Sequence, residues 1–569
     1  MLLKKILAER IEVIMSRSNL DGMPALIQNA SREEFGDYQV NGMMAAAKSL
    51  KENPRELAEN LKQALETDET FKEIVSKIEI AGPGFLNLTL KPDFLIQAVN
   101  SPPPKAANTE TVVVDFSSPN LAKEMHVGHL RTTLIGDTMA RVFEYQGHKV
   151  IRQNHVGDWG TQFGMLIAYL DSVGTSADDL KDLEVFYQKA KKRFDEEPDF
   201  AEKSRAYVVA LQQDQPEVLK KWRAFIEISM SHCDEIYSDL NVTLRPEDTF
   251  GESQYKGTIP SILETLTEEG LLTESNGALC VFLDEFTDKN GEKQAVIVQK
   301  SDGGYLYATT DLAAIRHRAH ELEADRILYF VDARQTLHFR QIFSLARTAG
   351  LCTPNLVLEH ISNGAILNKA GKPFKTRDGN TVKLADLIKE SRERAKEIFL
   401  AKNDKADLSS VEEIANAIGI ASIRYSELSK HRETDYAFDW EKVLSMEGNT
   451  APYLMYMYTR SKSLLLRSEL SASDLPEEPQ PEGTIERRLV LKMAQVNEVI
   501  DSVSRECLPH LLCLQLYEIA TAFARFYEEL PILSSPNKDR LRRLAITSKV
   551  ATKLSDGLDL LGIKVLEKM

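Results

Sequence analysis

Two short runs of this sequence combine residue types and spacings suited to work on phosphate. In the first, Ser117-Ser-Pro-Asn-Leu-Ala-Lys-Glu-Met-His-Val-Gly-His129, two imidazoles stand three residues apart. Side chains at that spacing share one side of a helical turn, so His126 and His129 can donate together to the oxygens of a triphosphate. Gly128 between them has no side chain, so a flat base can lie against the backbone. The plainer alternative is a pair of surface histidines at a helix start. In the second run, Lys369-Ala-Gly-Lys-Pro-Phe-Lys-Thr-Arg-Asp-Gly379, four of nine consecutive residues are basic. A cationic loop can close over a pyrophosphate leaving group and neutralise developing charge. Lysine suits this as a point charge on a flexible stem. Taken alone, the run reads equally well as a solvated basic loop.

The flanking pattern supplies a scaffold for these side chains. Thr111–Phe116 has the composition of a buried parallel strand. A polar loop follows, then a helical pattern from about Gly128 to Tyr145, then a strand at Lys149–Gln153. This β-α-β order predicts a doubly wound parallel sheet, in which the first run opens a helix after a strand, where anions bind. From about Leu170 to Glu292 helical segments dominate, one of them carrying Trp222, and read as an insertion. The β-α-β texture returns with a strand at Ala295–Gln299, a helix at Asp311–Leu322, a strand at Arg326–Val331, a helix at Leu337–Ala349 and a strand at Leu356–His360. Before the sheet, Ile78–Leu90 alternates around a Gly-Pro-Gly turn, and the proline-rich stretch Asn100–Asn108 reads as a linker. Beyond about Asp386 the periodicity is helical, broken by an acidic loop at Ser471–Gly483. The expected division is 1–108, a small α/β domain; 109–170 with 291–390, the sheet; 171–290, an insertion; 391–448, a helical stem; and 449–569, an all-helical bundle.

Bulk properties narrow the setting. A length of 569 residues suggests about three to five domains. The apolar stretches are short and broken by charge, so neither a membrane span nor a signal peptide is expected. Five cysteines with no C-x-x-C pair argue against structural zinc and for reduced thiols in the cytoplasm. The net charge of −16 weighs against a nucleic-acid partner, but binding is local. The stretch Asn537–Met569 carries eight Lys/Arg against four Asp/Glu.

H-V-G-H resembles the HIGH signature of class I aminoacyl-tRNA synthetases, and S-S-P-N-L-A-K-E-M-H-V-G-H-L-R resembles its form in the arginyl-tRNA synthetases. Arg152-Gln-Asn-His-Val-Gly-Asp-Trp-Gly-Thr-Gln-Phe-Gly164 is similar to the same family, as is Glu34-Phe-Gly-Asp-Tyr-Gln near the N-terminus. Lys372-Pro-Phe-Lys375-Thr resembles the KMSKS loop, with Pro373 and Phe374 in place of Met and the first Ser. The resemblance implies a Rossmann-type core and an ATP site of Lys123, His126, Gly128, His129, Lys372 and Lys375, with both histidines and lysines 372 and 375 catalytic. A guanidinium, a planar cation with five donors, calls for acidic and carbonyl or hydroxyl acceptors. By resemblance Tyr307, Asp311 and Glu252 hold it, while Asp115, Asn120 and Gln335 lie near the α-amino and carboxylate end. As plain structure, Asp311 would be a helix N-cap, Glu252 a loop acid, Asp115 a sheet-edge acid, Asn120 an Asx-turn and Gln335 a helix-face amide.

Tyr453, Tyr456 and Arg460 fall on one helix face. Such a set can stack unpaired RNA bases, or form a packed helix seam. The segment resembles the start of the family's anticodon-binding domain, and Tyr527 and Met569 are further carry-overs. The N-terminal domain resembles the family's addition that contacts the outer corner of tRNA. The expected reaction is ATP-dependent activation of L-arginine, with Mg²⁺ accompanying ATP, followed by transfer to the 2′-hydroxyl of tRNA(Arg). No zinc and no membrane partner are expected, and the family resemblance favours a monomer. The family often requires bound tRNA before activation. Three alternatives remain on the sequence: a nucleotidylyltransferase, a synthetase for another amino acid, and a non-catalytic tRNA-binding relative.

Overall fold

Ile27–Asn29 (β1) and Tyr38–Val40 (β2) precede a hairpin of Val75–Ala81 (β3) and Phe85–Leu90 (β4). The hairpin turns at Gly82-Pro-Gly84, where both glycines have positive φ and a Cβ on Gly84 would lie 2.6 Å from the Pro54 carbonyl oxygen. The four strands pair antiparallel in the order β1-β2-β4-β3. The computed structural model describes residues 1–18, 20–174, 183–301, 303–368, 370–372, 374, 382–402 and 408–568. Lys375 and Met569, expected at the phosphate and tRNA sites, lie outside the described residues.

The described chain forms two compact units. One joins Met1–Lys105 to Ser445–Leu560 and Lys564–Met569. Its C-terminal part is helical, with helices Ala451–Ser468, Gly483–Ala494, Val496–Glu506, His510–Glu529 and Asn537–Leu560. The expected N-terminal domain and C-terminal bundle therefore share one unit. Inside it the buried Tyr38 hydroxyl donates to Glu498 (3.1 Å), and Arg487 donates to the Leu90 carbonyl (2.8 Å). These partners are 460 and 397 residues apart, and periodicity along the chain carries no information about such pairings.

The other unit, Ala106–Leu444 with Leu561–Ile563, is built on Val112, Val113 and Val114, which expose no surface. They lie in Thr111–Asp115 (β5), next to Lys149–Gln153 (β6). Leu272–Ser275 (β7), Ala278–Thr287 (β8) and Lys293–Gln299 (β9) follow, then Arg326–Tyr329 (β10) and Val357–His360 (β11). The central sheet is parallel, in the order β11-β10-β5-β6. The chain thus winds outward from β5 to β6 and separately from β10 to β11, and the crevice beyond the carboxyl ends of β5 and β10 is where such sheets bind ligands.

The strand at Lys293–Gln299 is present but does not join this sheet. It pairs antiparallel with β8 in a separate sheet, β7-β8-β9. β7 and β8 were not anticipated in the insertion. The central sheet resumes only after the helix Tyr307–His320. Two further short strands, Ile366–Leu367 (β12) and Tyr436–Ala437 (β13), pair in parallel, and β12 immediately precedes the basic run. The expected stem helices, Leu384–Lys402 and Leu408–Leu428, belong to this same unit.

Candidate active site

The helix Val127–Tyr145 begins with a cap made of the two histidines themselves. His126 is the N-cap and accepts at Nδ1 from the Gly128 N–H (3.0 Å), while the His126 N–H donates to His129 Nδ1 (3.1 Å). This is a capping box with imidazoles in the places usual for Ser and Glu. Because each Nδ1 accepts, the proton of each neutral ring sits on Nε2. Burial, then neighbouring Lys123, lowers the His126 pKa; burial, then His126, takes His129 down to about 3. Both rings are therefore neutral Nε2–H donors at pH 7, with centroids 4.1 Å apart.

Sequence reasoning assigned anion binding to the free N–H groups of this helix. Those groups are already engaged: Val127 N–H donates to the Val382 carbonyl (3.1 Å) and His129 N–H to the His126 carbonyl (2.9 Å). The donors left for a phosphate are the imidazoles. Gly128 also has a second reason to be glycine, since a Cβ there would lie 2.7 Å from His126 Cε1. Lys123 is exposed, with its ammonium 4.6 Å from the centroid of the Tyr187 ring.

Between β5 and this helix the chain makes a tight turn with two consecutive non-glycine residues at positive φ, Ser117 (70°) and Ser118 (48°). Such a conformation costs on the order of 1 kcal/mol or more per residue. Side-chain contacts hold it. Ser117 Oγ and Tyr237 OH are 2.8 Å apart, and Thr133 donates to Ser117 Oγ (2.9 Å). Ser118 N–H donates to Asn154 Oδ1 (3.0 Å), and Ser118 Oγ donates to Asp115 Oδ1 (2.9 Å) while accepting from the His155 N–H (3.1 Å).

Asp115 itself is not a sheet-edge acid, because β5 is an interior strand. It is buried, and Oδ2 meets the fully buried Arg318 at 2.7 Å. A carboxylate has about four acceptor positions, so lone pairs remain for an ammonium group. Asn120 does form the Asx-turn, accepting at Oδ1 from the Ala122 N–H (3.0 Å).

Asp311 is not a helix N-cap. The helix starts at Tyr307 after Leu306, which puts Asp311 one turn in. There its carboxylate meets two histidines, with His338 Nε2 2.6 Å from Oδ2 and His155 Nε2 3.6 Å from Oδ1. Tyr307 packs edge-on against His338 with centroids 4.8 Å apart, yet remains 58% exposed. An aromatic wall this open beside a carboxylate suits a planar cation.

Glu252 opens a 3-10 turn, Glu252–Tyr255, whose backbone pairs with the site: its N–H donates to the Val156 carbonyl (3.1 Å). Burial, then Asp311, then Asp158 push the Glu252 pKa up to about 8. Asp158 is buried and accepts from the Ser253 N–H (2.9 Å) and hydroxyl (2.6 Å), and a Cβ on Gly251 would lie 2.2 Å from its Oδ2. Gln335 is not on a helix face. It ends the turn Ala333–Gln335 and caps Thr336–Thr348, exposed.

His155, Asp158, His338, Ser118 and Arg318 are contributors that sequence reasoning missed. His155 and Asp158 lie in the run Arg152–Gly164 already marked as family-like; His338 and Arg318 gave no local signal.

Lys372 is exposed in a turn where its N–H donates to Asn368 Oδ1 (3.1 Å). Lys375 lies outside the described residues. The run's return is joined to the histidine turn: Leu384 N–H donates to the Met125 carbonyl (2.9 Å), His126 bridges Lys383, and Lys383 pairs with Glu124 (3.0 Å). The chain just past the basic run, at 382–384, is thus bonded to the histidine turn.

In the other unit, Arg460 stacks on two rings, 4.7 Å from the Tyr456 centroid and 4.6 Å from that of Tyr527. Tyr453 meets Tyr517 at 5.8 Å. Tyr453, Tyr456, Arg460 and Tyr527 are all half-buried, on the margin between the helix's packed face and solvent.

Comparison with known proteins agrees with this geometry. Residues 92–440 match the family described as tRNA synthetases class I (R), catalytic domain. Residues 454–569 match the DALR anticodon binding domain, and 1–90 the arginyl tRNA synthetase N terminal domain. The chain is 48% identical to an arginine–tRNA ligase of Chromobacterium violaceum and 46% identical to one of Hahella chejuensis, over the full length of each chain. It superposes on the crystal structure of arginyl-tRNA synthetase from Plasmodium falciparum with a TM-score of 0.84 at 30% identity, covering 99% of both chains. The chain belongs to the arginyl-tRNA synthetases, within class I of the aminoacyl-tRNA synthetases.

Proposed function

We propose that the chain ligates L-arginine to tRNA(Arg) in two steps at the crevice beyond β5 and β10. The arginine carboxylate attacks the α-phosphate of ATP in line and pyrophosphate leaves. The 2′-hydroxyl of the terminal adenosine then attacks the adenylate carbonyl. No protein nucleophile is required, so catalysis rests on positioning and on donors aimed at developing charge.

His126 and His129 donate their Nε2–H groups to the triphosphate. Lys372 and Lys375 steady the leaving pyrophosphate, with Lys123 adding positive charge from the other run. Gly128 leaves room for the adenine. Mg²⁺ accompanying ATP would neutralise part of the phosphate charge. The guanidinium lies against Tyr307 with Asp311 and Glu252 as acceptors. The α-amino and carboxylate groups reach the remaining lone pairs of Asp115, the NH₂ of Asn120 and the amide of Gln335. The carrying observation is the acidic slot of Glu252, Asp311 and Asp158, in which burial and the two neighbouring acids disfavour the ionised form of Glu252 until a cation arrives. It disfavours an anionic amino acid, and capped, neutral imidazoles beside the basic run are what a working phosphate site needs, against a non-catalytic relative.

In the other unit, Tyr453, Tyr456, Arg460, Tyr527 and Met569 form the tRNA-reading surface, and the N-terminal sheet domain meets the outer corner of the tRNA. The 171–290 insertion supplies Glu252 to the slot and also Trp222, whose indole N–H donates to the Asp158 carbonyl (2.7 Å). We place the enzyme in the cytoplasm as a monomer; no described helix is long and apolar enough to cross a membrane. Aminoacylation of bulk tRNA with arginine against the other amino acids tests the assignment, and charging with any other residue in preference overturns it. Activation is expected to need tRNA; equal ATP–pyrophosphate exchange with and without it refutes that part.

A further inference from the structure

His338 touches both of the side chains that would grip the guanidinium most directly. Its Nε2 lies 2.6 Å from Asp311 Oδ2, and its ring meets Tyr307 edge-on with centroids 4.8 Å apart. A carboxylate can only accept, so Nε2 carries the proton and donates. The contact is largely out of water, with the His338 and Asp311 side chains 16% and 14% exposed. Among the described residues this is the one hydrogen bond to the Asp311 carboxylate. His155 Nε2 faces the other oxygen, Oδ1, at 3.6 Å, beyond hydrogen-bond range, and its ring leans on Tyr255 at 5.6 Å.

The element that carries His338 is anchored on the central sheet. His338 is the third residue of the helix Thr336–Thr348. The next residue, Phe339, is buried, stacked on His360 of β11 at 4.8 Å and tilted against Tyr329 of β10 at 5.0 Å. Asp311 stands on a different helix, Tyr307–His320, so the bond ties the acid to a fixed point outside its own element. We propose that His338 is a positioning residue for arginine recognition, holding Oδ2 of Asp311 and backing the Tyr307 ring while Oδ1 is left for the guanidinium. The proposal rests on the reading of Asp311 and Tyr307 given above. Without its donor the carboxylate could turn about its side-chain torsions, and the planar fork of a guanidinium gains most from an acceptor already fixed in place.

ATP–pyrophosphate exchange at saturating tRNA and fixed pH tests it, with KM for arginine and kcat read separately. His338→Leu should raise KM for arginine about ten- to hundredfold, the scale of a hydrogen bond to a charged group. Its kcat should stay within about threefold, since the phosphate site is untouched. His338→Phe, which keeps a ring against Tyr307 without the donor, should lose nearly as much. His338→Gln, whose amide N–H can reach the same oxygen, should recover most of the loss. In Asp311→Asn, which already lacks the charge, adding His338→Leu should raise KM by no more than about twofold further. An unchanged KM in His338→Phe overturns the proposal, and so does equal loss in the Leu and Gln variants. A full further loss in the Asp311→Asn background also overturns it, because His338 would then act other than through Asp311. A normal KM in Asp311→Asn overturns instead the assignment of that acid to the guanidinium.

Discussion

With its pKa at about 8, Glu252 is ionised in half of the free protein at pH 8, in about one molecule in eleven at pH 7 and in about one in a hundred at pH 6. A guanidinium keeps its charge throughout this range and favours the ionised partner. Arginine binding should therefore expel a proton from Glu252, and affinity should follow the ionised fraction. From pH 8 to pH 6 that fraction drops about fiftyfold, or about 2.3 kcal/mol of binding free energy. The sign follows from linkage: the free protein holds the proton and the complex does not, so raising pH favours the complex until pH passes about 8, where the gain levels off. For folding of the free protein the sign is opposite. A carboxyl whose folded pKa exceeds its unfolded value favours the folded state at low pH, and this contribution is lost as pH rises from the ordinary glutamate range to about 8.

Two measurements check this. The KM for arginine, from exchange with tRNA present, should rise about fiftyfold between pH 8 and pH 6. Calorimetric titration in buffers of different ionisation enthalpy should show close to one proton released per arginine at pH 7. Glu252→Gln serves as the internal control: it should bind arginine weakly at pH 8 and show a far shallower slope, leaving only what other groups contribute. A wild-type slope no steeper than that of Glu252→Gln, or no proton release at pH 7, refutes the idea that this carboxyl is kept protonated for the substrate to discharge.

Three further outcomes follow from the geometry. His126→Asn keeps a capping acceptor but removes the Nε2–H donor, so stability should change by less than about 0.5 kcal/mol while the exchange rate falls about a hundredfold or more; an unaltered rate would relegate the ring to a cap. Arg318→Met strips the partner from the buried Asp115 and should cost about 3–5 kcal/mol in urea denaturation, most of it recovered by adding Asp115→Asn. Arg460→Ala removes the guanidinium stacked between Tyr456 and Tyr527 and should raise KM for tRNA about tenfold, with kcat at saturating tRNA changed less than about twofold.

What could be read from the sequence was local. His126 and His129 were legible because spacing, a preceding strand and a following helix all lie within one short run. The parallel strands at 111–115, 149–153, 326–329 and 357–360 were legible from their composition and from the helices between them. Pairing across distance was not. Ala295–Gln299 reads as a strand from its β-branched residues, but nothing in it says that its neighbour is β8 rather than a strand of the central sheet. Asp311 looked like an N-cap because an acid at the edge of a helical pattern usually is one. The helix starts four residues earlier, at Tyr307, which makes Asp311 an inward-facing acid instead. Its partners His338 and His155 lie 27 and 156 residues away, and no period connects them. The joining of the two terminal regions rests likewise on Tyr38 and Glu498, each unremarkable in its own run.

The division of charge at the phosphate site suggests why its histidines are capped. An imidazole that titrated near neutral pH would change its charge with the medium, and its contact with the triphosphate would change with it. A neutral N–H held in a fixed direction gains more as negative charge builds on the oxygen it faces, and needs no reorganisation to do so. The Gly128 and His126 backbone N–H groups hold both rings in that form, and burial keeps the proton count fixed by lowering both pKa values. On the proposed reading, full positive charge is left to the lysines of the basic run. It follows that the two kinetic constants should separate in their pH dependence. Between pH 7 and pH 8, kcat for exchange should be nearly flat, because burial lowers both imidazole pKa values from their ordinary range, while KM for arginine climbs steadily toward acid through Glu252. A kcat that instead falls with an apparent pKa inside that window would mean that an imidazole titrates in the complex, and the fixed-tautomer account of the turn would have to be abandoned.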